Sequence, residues 1–166
     1  AHRLLGDLAL ERGDLEPARR SYLQAVGANP QDAGLRAALG KLLVHMGRPD
    51  EARSELSRAL ALDPENATAH NALGHLRDKS NDLQAALESH QKAVSLAPQE
   101  ETFAYDLAEV LAQAGKKDEA ITQMRSAVAR QPWRAEWQHA LGMLYGGQGQ
   151  WSAAVATSAA YHAPLG

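Results

Sequence analysis

Three histidines are the side chains in this sequence that most resemble metal ligands. His45, His75 and His139 fall in separate helix-forming segments, and imidazole is a frequent ligand of zinc and other transition metals. None of them belongs to an i, i+4 histidine pair, the spacing that places two side chains on one face of a helix. A histidine in that setting is more typical of a hydrogen-bonding contact. We therefore predict no metal site and no cofactor.

Carboxylates such as Asp78 and Glu109 are candidates for acid–base catalysis, but the sequence gives no sign that they are paired or buried. The sequence contains no H-E-x-x-H, G-x-S-x-G or Walker motif. The stretch YGGQGQW at 145–151 superficially resembles a phosphate loop, although it lacks the G-x-G-x-x-G spacing and a preceding strand. We predict that the chain is not an enzyme.

The composition argues against several other classes of protein. The absence of cysteine excludes disulfides, thiolate nucleophiles and cysteine metal sites, and leaves the compartment open between cytoplasm and periplasm. A formal net charge of −3 argues against nucleic-acid binding, which needs clustered Lys and Arg. No apolar run reaches about 18 residues, so we predict no membrane insertion. Abundant Ala and Leu with 5% aromatic residues favour an all-α fold.

A 34-residue period runs through the sequence, and it defines the elements that must position these side chains. Shifting the chain by this period aligns columns of shared residue type. The columns are proline at Pro30, Pro64, Pro98 and Pro132; leucine before a small residue at Leu5, Leu39, Leu73, Leu107 and Leu141; glycine or asparagine at Gly13, Gly47, Asn81, Gly115 and Gly149; and alanine at Ala18, Ala52, Ala86, Ala120 and Ala154.

Each column has a structural role. Glycine and asparagine tolerate the left-handed backbone of a tight turn between two helices. Proline ends the second helix of each unit, because the residue before a proline is disfavoured in the helical region. Leucine and small residues at i, i+3, i+4 spacing give each helix an apolar face that lets its neighbour approach closely. The sequence thus predicts five helix pairs.

These columns resemble the tetratricopeptide repeat, whose pattern is W-x2-L-G-x2-Y, then A-x3-F, then P. The chain departs from the pattern in the Trp column, which reads His2, Arg36, His70, Ala104 and Gln138. Unit three has Arg77 and His90 where bulky apolar residues are usual, and we expect it to be the least well packed. The resemblance implies a right-handed superhelical solenoid of antiparallel helix pairs. We expect a single array, 1–166, with units near 1–32, 33–66, 67–100, 101–134 and 135–166, and expect the chain to be a fragment of a longer protein.

The resemblance also implies a concave groove, lined by the first helix of each unit, that holds a peptide segment or a partner domain. Tyr105 is the preferred apolar anchor. The two-carboxylate clamp by which some family members bind chaperone tails is not expected, since its positions carry Asp7, Ala38, Thr102 and Asp106. The mixed sign of the lining favours a protein or peptide of mixed charge. The implied groove residues are Arg3, Asp7, Lys41, His45, Asn71, His75, Asp78, Tyr105, Glu109, His139 and Met143.

The last thirty residues, 137–166, contain no Asp, Glu, Lys or Arg, although a terminal repeat usually needs a polar outer face. One interpretation is that Ser, Thr and Gln are polar enough to keep an Ala-rich terminal helix solvated. The other is that self-association or a covering domain shields Trp151, Val155 and Tyr161.

The prediction is therefore a protein-interaction scaffold. The alternative is a regulatory or substrate-presenting module of a larger enzyme, of glycosyltransferase or hydroxylase type, or of a cell-envelope export assembly. Twelve Arg against five Lys suggest a bacterial source.

Overall fold

Tight turns divide the chain into helix pairs, as the 34-residue period predicts. The computed structural model describes the backbone of residues 2–162 and the side chains of residues 2–157. The described residues form ten α-helices and no strand: α1 His2–Glu11, α2 Leu15–Ala28, α3 Ala33–His45, α4 Pro49–Leu62, α5 Ala67–Lys79, α6 Leu83–Leu96, α7 Glu101–Gln113, α8 Lys117–Arg130, α9 Ala135–Gly146 and α10 Trp151–His162. We call α1, α3, α5, α7 and α9 the leading helices.

Every turn inside a helix pair contains one residue with positive φ. The four glycines have φ between +70° and +78°, and Asn81 has φ of +59°. Glycine has no Cβ to clash in this left-handed region, and asparagine tolerates it better than most residues. The glycine and asparagine column is confirmed as the device that reverses the chain within each pair.

The turns between pairs are held by side chains that bond the proline carbonyls. Arg36 Nε donates to Pro30 O at 2.8 Å, and His70 Nε2 donates to Pro64 O at 2.9 Å. The Gln138 amide donates to Pro132 O in the same way. These three donors occupy the Trp column of the repeat. A polar residue in this column therefore bonds to the end of the preceding repeat. Ala104, the residue of this column in the fourth repeat, has no side-chain donor. Pro98 O accepts a hydrogen bond from Arg130 Nη1 instead, at 2.6 Å.

The chain divides into two compact units, each larger than one repeat: unit 1 is Ala1–Leu96 and unit 2 is Ala97–Gly166. Unit 1 contains α1 to α6, and its core forms where small residues on one helix meet large ones on its partner. An added Cβ on Gly40 would lie 2.6 Å from Leu56, which is fully buried. The same pair of helices, α3 and α4, is joined by an ion pair of 2.7 Å between Arg36 Nη1 and Glu55. Both side chains are largely buried, so this pair is better shielded from salt than a surface one.

The third helix pair, α5 and α6, has a polar core where the first two pairs are apolar. His90 is fully buried, and its Nδ1 donates to Asn71 Oδ1 at 2.7 Å. Arg77 Nη1 donates to Ser89 Oγ at 2.5 Å and to the Ala85 carbonyl at 3.2 Å. These bonds give His90 Nδ1 and Arg77 Nη1 partners within the pair, and the α6 residues Ala86, Ser89, His90 and Ala93 are almost fully buried. The expectation of looser packing in this pair is wrong.

Unit 2 contains α7 to α10. Its buried cluster joins Met124 and Ile121 of α8 to Trp137 and Leu141 of α9. The close approach of α9 and α10 again depends on glycine, since a Cβ on Gly142 would meet Thr157 Oγ1 at 2.8 Å. The prediction that both units belong to one continuous array, 1–166, stays a prediction.

Candidate partner-binding surface

The two leading helices of unit 2 are joined by a stack of aromatic rings. Tyr105 of α7 lies parallel to Trp137 of α9, with ring centroids 5.3 Å apart and 18° between the planes. The Arg134 guanidinium lies over the same indole at 4.9 Å, a cation–π contact. Trp137 is buried, whereas Tyr105 is half-buried. The stack fixes the spacing of α7 and α9 on the side that carries Tyr105.

Carboxylates surround the exposed end of the stack. Tyr105 Oη donates a hydrogen bond of 2.8 Å to Glu109 Oε1. Burial raises the pKa of the Tyr105 phenol well above its ordinary value, and the bond to Glu109 and the nearby charges of Asp106 and Glu136 raise it further. The surface around Tyr105 is therefore acidic, with Arg134 as the neighbouring cation, already paired with Glu136 at 3.3 Å.

Beside Glu109, the same two helices leave an open cavity of about 320 Å³. Its floor includes Met124 of α8, which is buried, and Met143 of α9, at its edge, is 66% exposed. The lining residues are Ala108, Glu109, Ala112, Gln113, Met124, Ala140, Met143 and Leu144. Three alanines in this set leave the space that larger side chains would fill. We call this the α7/α9 cavity.

The structure brings three of the groove residues predicted on α7 and α9 to one place. Glu109 and Met143 line the α7/α9 cavity, and Tyr105 bonds to Glu109. His139 is exposed but lines a different cavity, between α9 and α10. Sequence reasoning missed Trp137, although Phe103 and Leu35, at earlier positions of its column, are also large and apolar.

The residues predicted for α1 and α3 differ in how free they are to bind a partner. Lys41 and His45 are exposed on α3. Asp7 accepts a hydrogen bond of 2.5 Å from Tyr22 Oη and lies 3.9 Å from the exposed Arg3, so it serves its own helix pair. The pKa of Tyr22 is raised, first by burial and then by this bond to Asp7.

The residues predicted for α5 are more deeply placed. Asn71 is 3% exposed, and its amide oxygen accepts from His90. Its Nδ2 donates to His75 Nε2 at 3.4 Å, and the His75 ring meets His90 edge-on at 4.9 Å. His75 and Asp78 are half-buried. Asn71 is thus part of the core of its helix pair and does not belong to a partner-binding surface.

A family model described as Tetratricopeptide repeat matches this chain twice, over residues 9–76 and 79–144. Together the matches cover well over half of the sequence. The chain belongs to the tetratricopeptide repeat family.

Solved structures of other tetratricopeptide repeat proteins have the same fold. MamA is similar with a TM-score of 0.75 and 27% identity over 95% of this chain and 92% of MamA. The PilF protein of Pseudomonas aeruginosa has a TM-score of 0.83 at 22% identity, covering 96% of this chain and 73% of PilF. YrrB, a tetratricopeptide repeat protein with an unusual peptide-binding site, has a TM-score of 0.68 at 22% identity, covering 96% of this chain and 82% of YrrB. A search of curated proteins gave no significant match.

These findings confirm the predicted fold class, an all-α tetratricopeptide-repeat-like solenoid of antiparallel helix pairs. Membership of this family also supports the broad functional class, a protein-interaction scaffold with protein or peptide partners.

The last tetratricopeptide repeat carries a second, more apolar cavity of about 440 Å³ between α9 and α10. Met143, Trp151 and Val155 on its walls are each between 66% and 69% exposed. The full lining is His139, Gly142, Met143, Gly146, Gly147, Trp151, Ala154 and Val155. We call this the α9/α10 surface. Of the residues predicted to be covered at this end, Tyr161 lies outside the described side chains.

In the part of the chain that the structure describes, His, Asp and Glu do not gather in groups of three or more that could hold a metal ion. No helix among the described residues combines the length and apolar character needed to cross a bilayer.

Proposed function

We propose that this tetratricopeptide repeat scaffold binds a peptide segment of its partner across α7 and α9, with one apolar side chain of that segment in the α7/α9 cavity. The observation that carries the proposal is the cavity itself. It is lined from both leading helices and lies beside the stacked Tyr105 and Trp137.

The size of the cavity suits an apolar anchor. Its volume of about 320 Å³ falls at the lower end of the range typical of ligand sites, roughly 300 to 1,000 Å³. Ala112, Ala140 and Met124 offer no charge to the interior, so an aliphatic side chain would exchange water for apolar contact there. Anchors buried in such pockets usually supply most of the affinity of an interface.

The charge around the cavity favours a basic residue next to that anchor. Asp106, Glu109 and Glu136 all lie close enough to Tyr105 to raise the pKa of its phenol. A Lys or Arg beside the apolar anchor would meet this acidic rim, which steers association and fixes orientation.

The test is a selection from a displayed library of random peptides on the whole chain, followed by affinity measurements with Ala112→Leu. Leu10 and Val44 occupy the column of Ala112 in earlier repeats, so Leu is compatible with the fold while it fills the cavity. We expect the selected peptides to lose at least tenfold in affinity for this variant. The matched control is Ala129→Leu, which places the same side chain on an exposed position of α8 and should leave affinity unchanged.

The charge is tested separately with Glu109→Gln. Selected peptides should share an apolar residue next to Lys or Arg. The affinity of these peptides for the variant should be lower than for the wild type, while the affinity of peptides without the basic residue should not change. Peptides that bind Ala112→Leu as well as they bind the wild type would contradict the cavity as the site. Peptides that require the cavity but show no preference for basic residues would contradict only the charge assignment.

A further inference from the structure

The second and third repeats enclose a cavity that carries two arginines. It lies between α4 on one side and α5 with the turn before α6 on the other, entirely within unit 1, and its volume is about 350 Å³. Arg53 and Ser57 of α4 and Arg77 of α5 are among its lining residues. None of the lining residues is a predicted groove residue, and none lines the α7/α9 cavity. We call this the arginine cavity.

A cavity at the same place one repeat earlier has a different charge. Four lining positions of the two cavities correspond by the 34-residue period: Arg19, Leu23, Leu39 and Leu43 in the earlier cavity and Arg53, Ser57, Leu73 and Arg77 in the arginine cavity. The earlier cavity also contains two carboxylates, and the corresponding positions one repeat later are uncharged: Glu51 and Glu55 correspond to Ala85 and Ser89. From the first cavity to the second, the chain therefore gains an arginine and a hydroxyl group and loses two negative charges.

Arg53 is exposed and forms no ion pair or hydrogen bond through its side chain with the residues that the structure describes. Its counterpart Arg19 is paired with Glu16 at 3.1 Å. The position of Glu16 is taken in the second repeat by Asp50, whose side chain is one methylene shorter. The guanidinium of Arg53 therefore keeps its N–H donors for a ligand.

Arg77 is held in place by α6. Its Nη1 makes both of its hydrogen bonds, to Ser89 Oγ and to the Ala85 carbonyl. Within the described part of the chain, Nε and Nη2 make none, so they keep N–H groups for a ligand. The Arg77 side chain is half-buried, and Leu76 in the same cavity is buried. A charge beside such an apolar wall acts at a lower effective dielectric than in water, which strengthens its attraction for an anion.

The carboxylates near the arginine cavity do not cancel its positive charge. Asp82 belongs to the lining, and its Oδ1 accepts a hydrogen bond of 3.2 Å from Ala85 N in the first turn of α6. Glu88 of α6 is exposed, lies outside the lining and accepts a hydrogen bond from Gln84. Two arginines against one carboxylate leave the lining with a net positive charge.

We propose that the arginine cavity binds the phosphate group of a phosphorylated serine or threonine of a partner protein. A phosphorylated side chain carries a charge of about −1.5 to −2 at pH 7 and has three strong acceptor oxygens. Arg53, Arg77 and Ser57 supply donors from three side chains, and the planar fork of arginine suits phosphate oxygens. A carboxylate has only two oxygens and a single charge, so it would use this set of donors less fully.

The source of the phosphate follows from the broad class of the protein. A protein-interaction scaffold has protein or peptide partners, so a phosphorylated side chain is favoured over free phosphate or a lipid headgroup. The inference adds a second binding site to the chain and does not depend on the site proposed on α7 and α9.

The test uses two peptide libraries with random residues around a fixed centre, which is phosphoserine in one library and serine in the other. The whole chain should retain peptides from the phosphoserine library, and calorimetry should show that their serine versions bind at least tenfold more weakly. Arg53→Gln should reduce the affinity for the phosphopeptides by roughly tenfold or more, because it removes charge-assisted hydrogen bonds to the phosphate. Circular dichroism and thermal unfolding establish that this variant, altered at an exposed position, keeps the fold.

Two control variants separate this site from other effects. Arg58→Gln removes the same charge from another exposed position of α4, outside the lining of the arginine cavity, and should bind phosphopeptides as the wild type does. Ala112→Leu, which fills the α7/α9 cavity, should also bind them as the wild type does, so that failure of one proposed site is distinguishable from failure of the other.

Three results would overturn the proposal. The first is equal affinity of the wild type for the phosphoserine and serine peptides. The second is an equal loss in Arg53→Gln and Arg58→Gln, which would mean that the phosphate is attracted by the general charge of α4 and not bound in the cavity. The third is binding of inorganic phosphate, or of vesicles that contain phosphatidic acid, without binding of phosphopeptides, which would contradict the assignment to a phosphorylated side chain.

Discussion

Gly40 on α3 faces Leu56 on α4 so closely that a Cβ atom on the glycine would lie 2.6 Å from both Cγ and Cδ2 of the leucine. Leu56 is fully buried. The same relationship recurs in the third helix pair, where a Cβ on Gly74 would lie 2.5 Å from the His90 ring. The second helix of each pair therefore sets how much room its leading helix has at this column.

Replacing Gly40 with Ala should destabilise the protein although alanine favours helices. The added methyl group must displace Leu56 or separate α3 from α4, and such overpacking costs about 1–3 kcal/mol. The free energy of unfolding in urea measures the effect. Gly27→Ala is the matched control, because Gly27 lies within α2 and a Cβ there would meet nothing within 4 Å. It should raise stability by about 0.5–1 kcal/mol, and an equal loss in both variants would contradict the close-packing account.

The buried bond between Asn71 and His90 should make a single substitution more harmful than a double one. Asn71→Ala removes the acceptor of His90 Nδ1 in a buried site, which costs about 1–3 kcal/mol. The double variant Asn71→Ala/His90→Leu reproduces the residues of the second repeat, Ala37 and Leu56, and should recover part of that loss. A double-mutant cycle by chemical denaturation measures the coupling. Strictly additive losses would show that the two side chains do not depend on each other.

Tyr105 should ionise only at pH values above those of an ordinary tyrosine. Burial and the bond to Glu109 raise the pKa of its phenol above 10.0 in the folded protein. A group whose pKa is raised on folding contributes stability at pH values below its unfolded pKa, and that stability is lost as the pH rises through the folded pKa. The free energy of unfolding of the wild type should thus fall more steeply above pH 10 than that of Tyr105→Phe. Parallel curves for the two proteins would contradict the raised pKa.

The fold could be predicted because its main determinants are local and repeat along the chain. Gly13 and Asn81 mark turns by their backbone preference, and Pro30 and Pro64 mark helix ends by theirs, whatever the rest of the chain does. The polar core of the third pair could not be foreseen. A histidine such as His90 in an apolar column indicates poor packing unless its partner is known, and Asn71 lies nineteen residues away.

The candidate site was only partly predictable for the same reason. The period correctly assigned Tyr105, Glu109 and Met143 to the leading helices, but it does not say which side chains bond within their own pair. The position of Asn71 in the repeat assigns it to the groove, whereas the structure places it in the core. The reason is that His90 offers its amide oxygen a buried hydrogen-bond donor. The α7/α9 cavity results from the absence of bulk at Ala112 and Ala140 together, and a cavity between two helices is visible only when both are in place.

The three methionines of the chain allow the most direct test of the proposed binding site. Met124 and Met143 line the α7/α9 cavity, while Met46 packs against the core of unit 1 and serves as an internal control. In a protein labelled with ¹³C at the methionine methyl groups, a selected peptide should shift the Met124 and Met143 signals at saturation and leave the Met46 signal in place. Saturated binding that leaves both cavity methionines unshifted, or that shifts Met46 alone, would contradict the account.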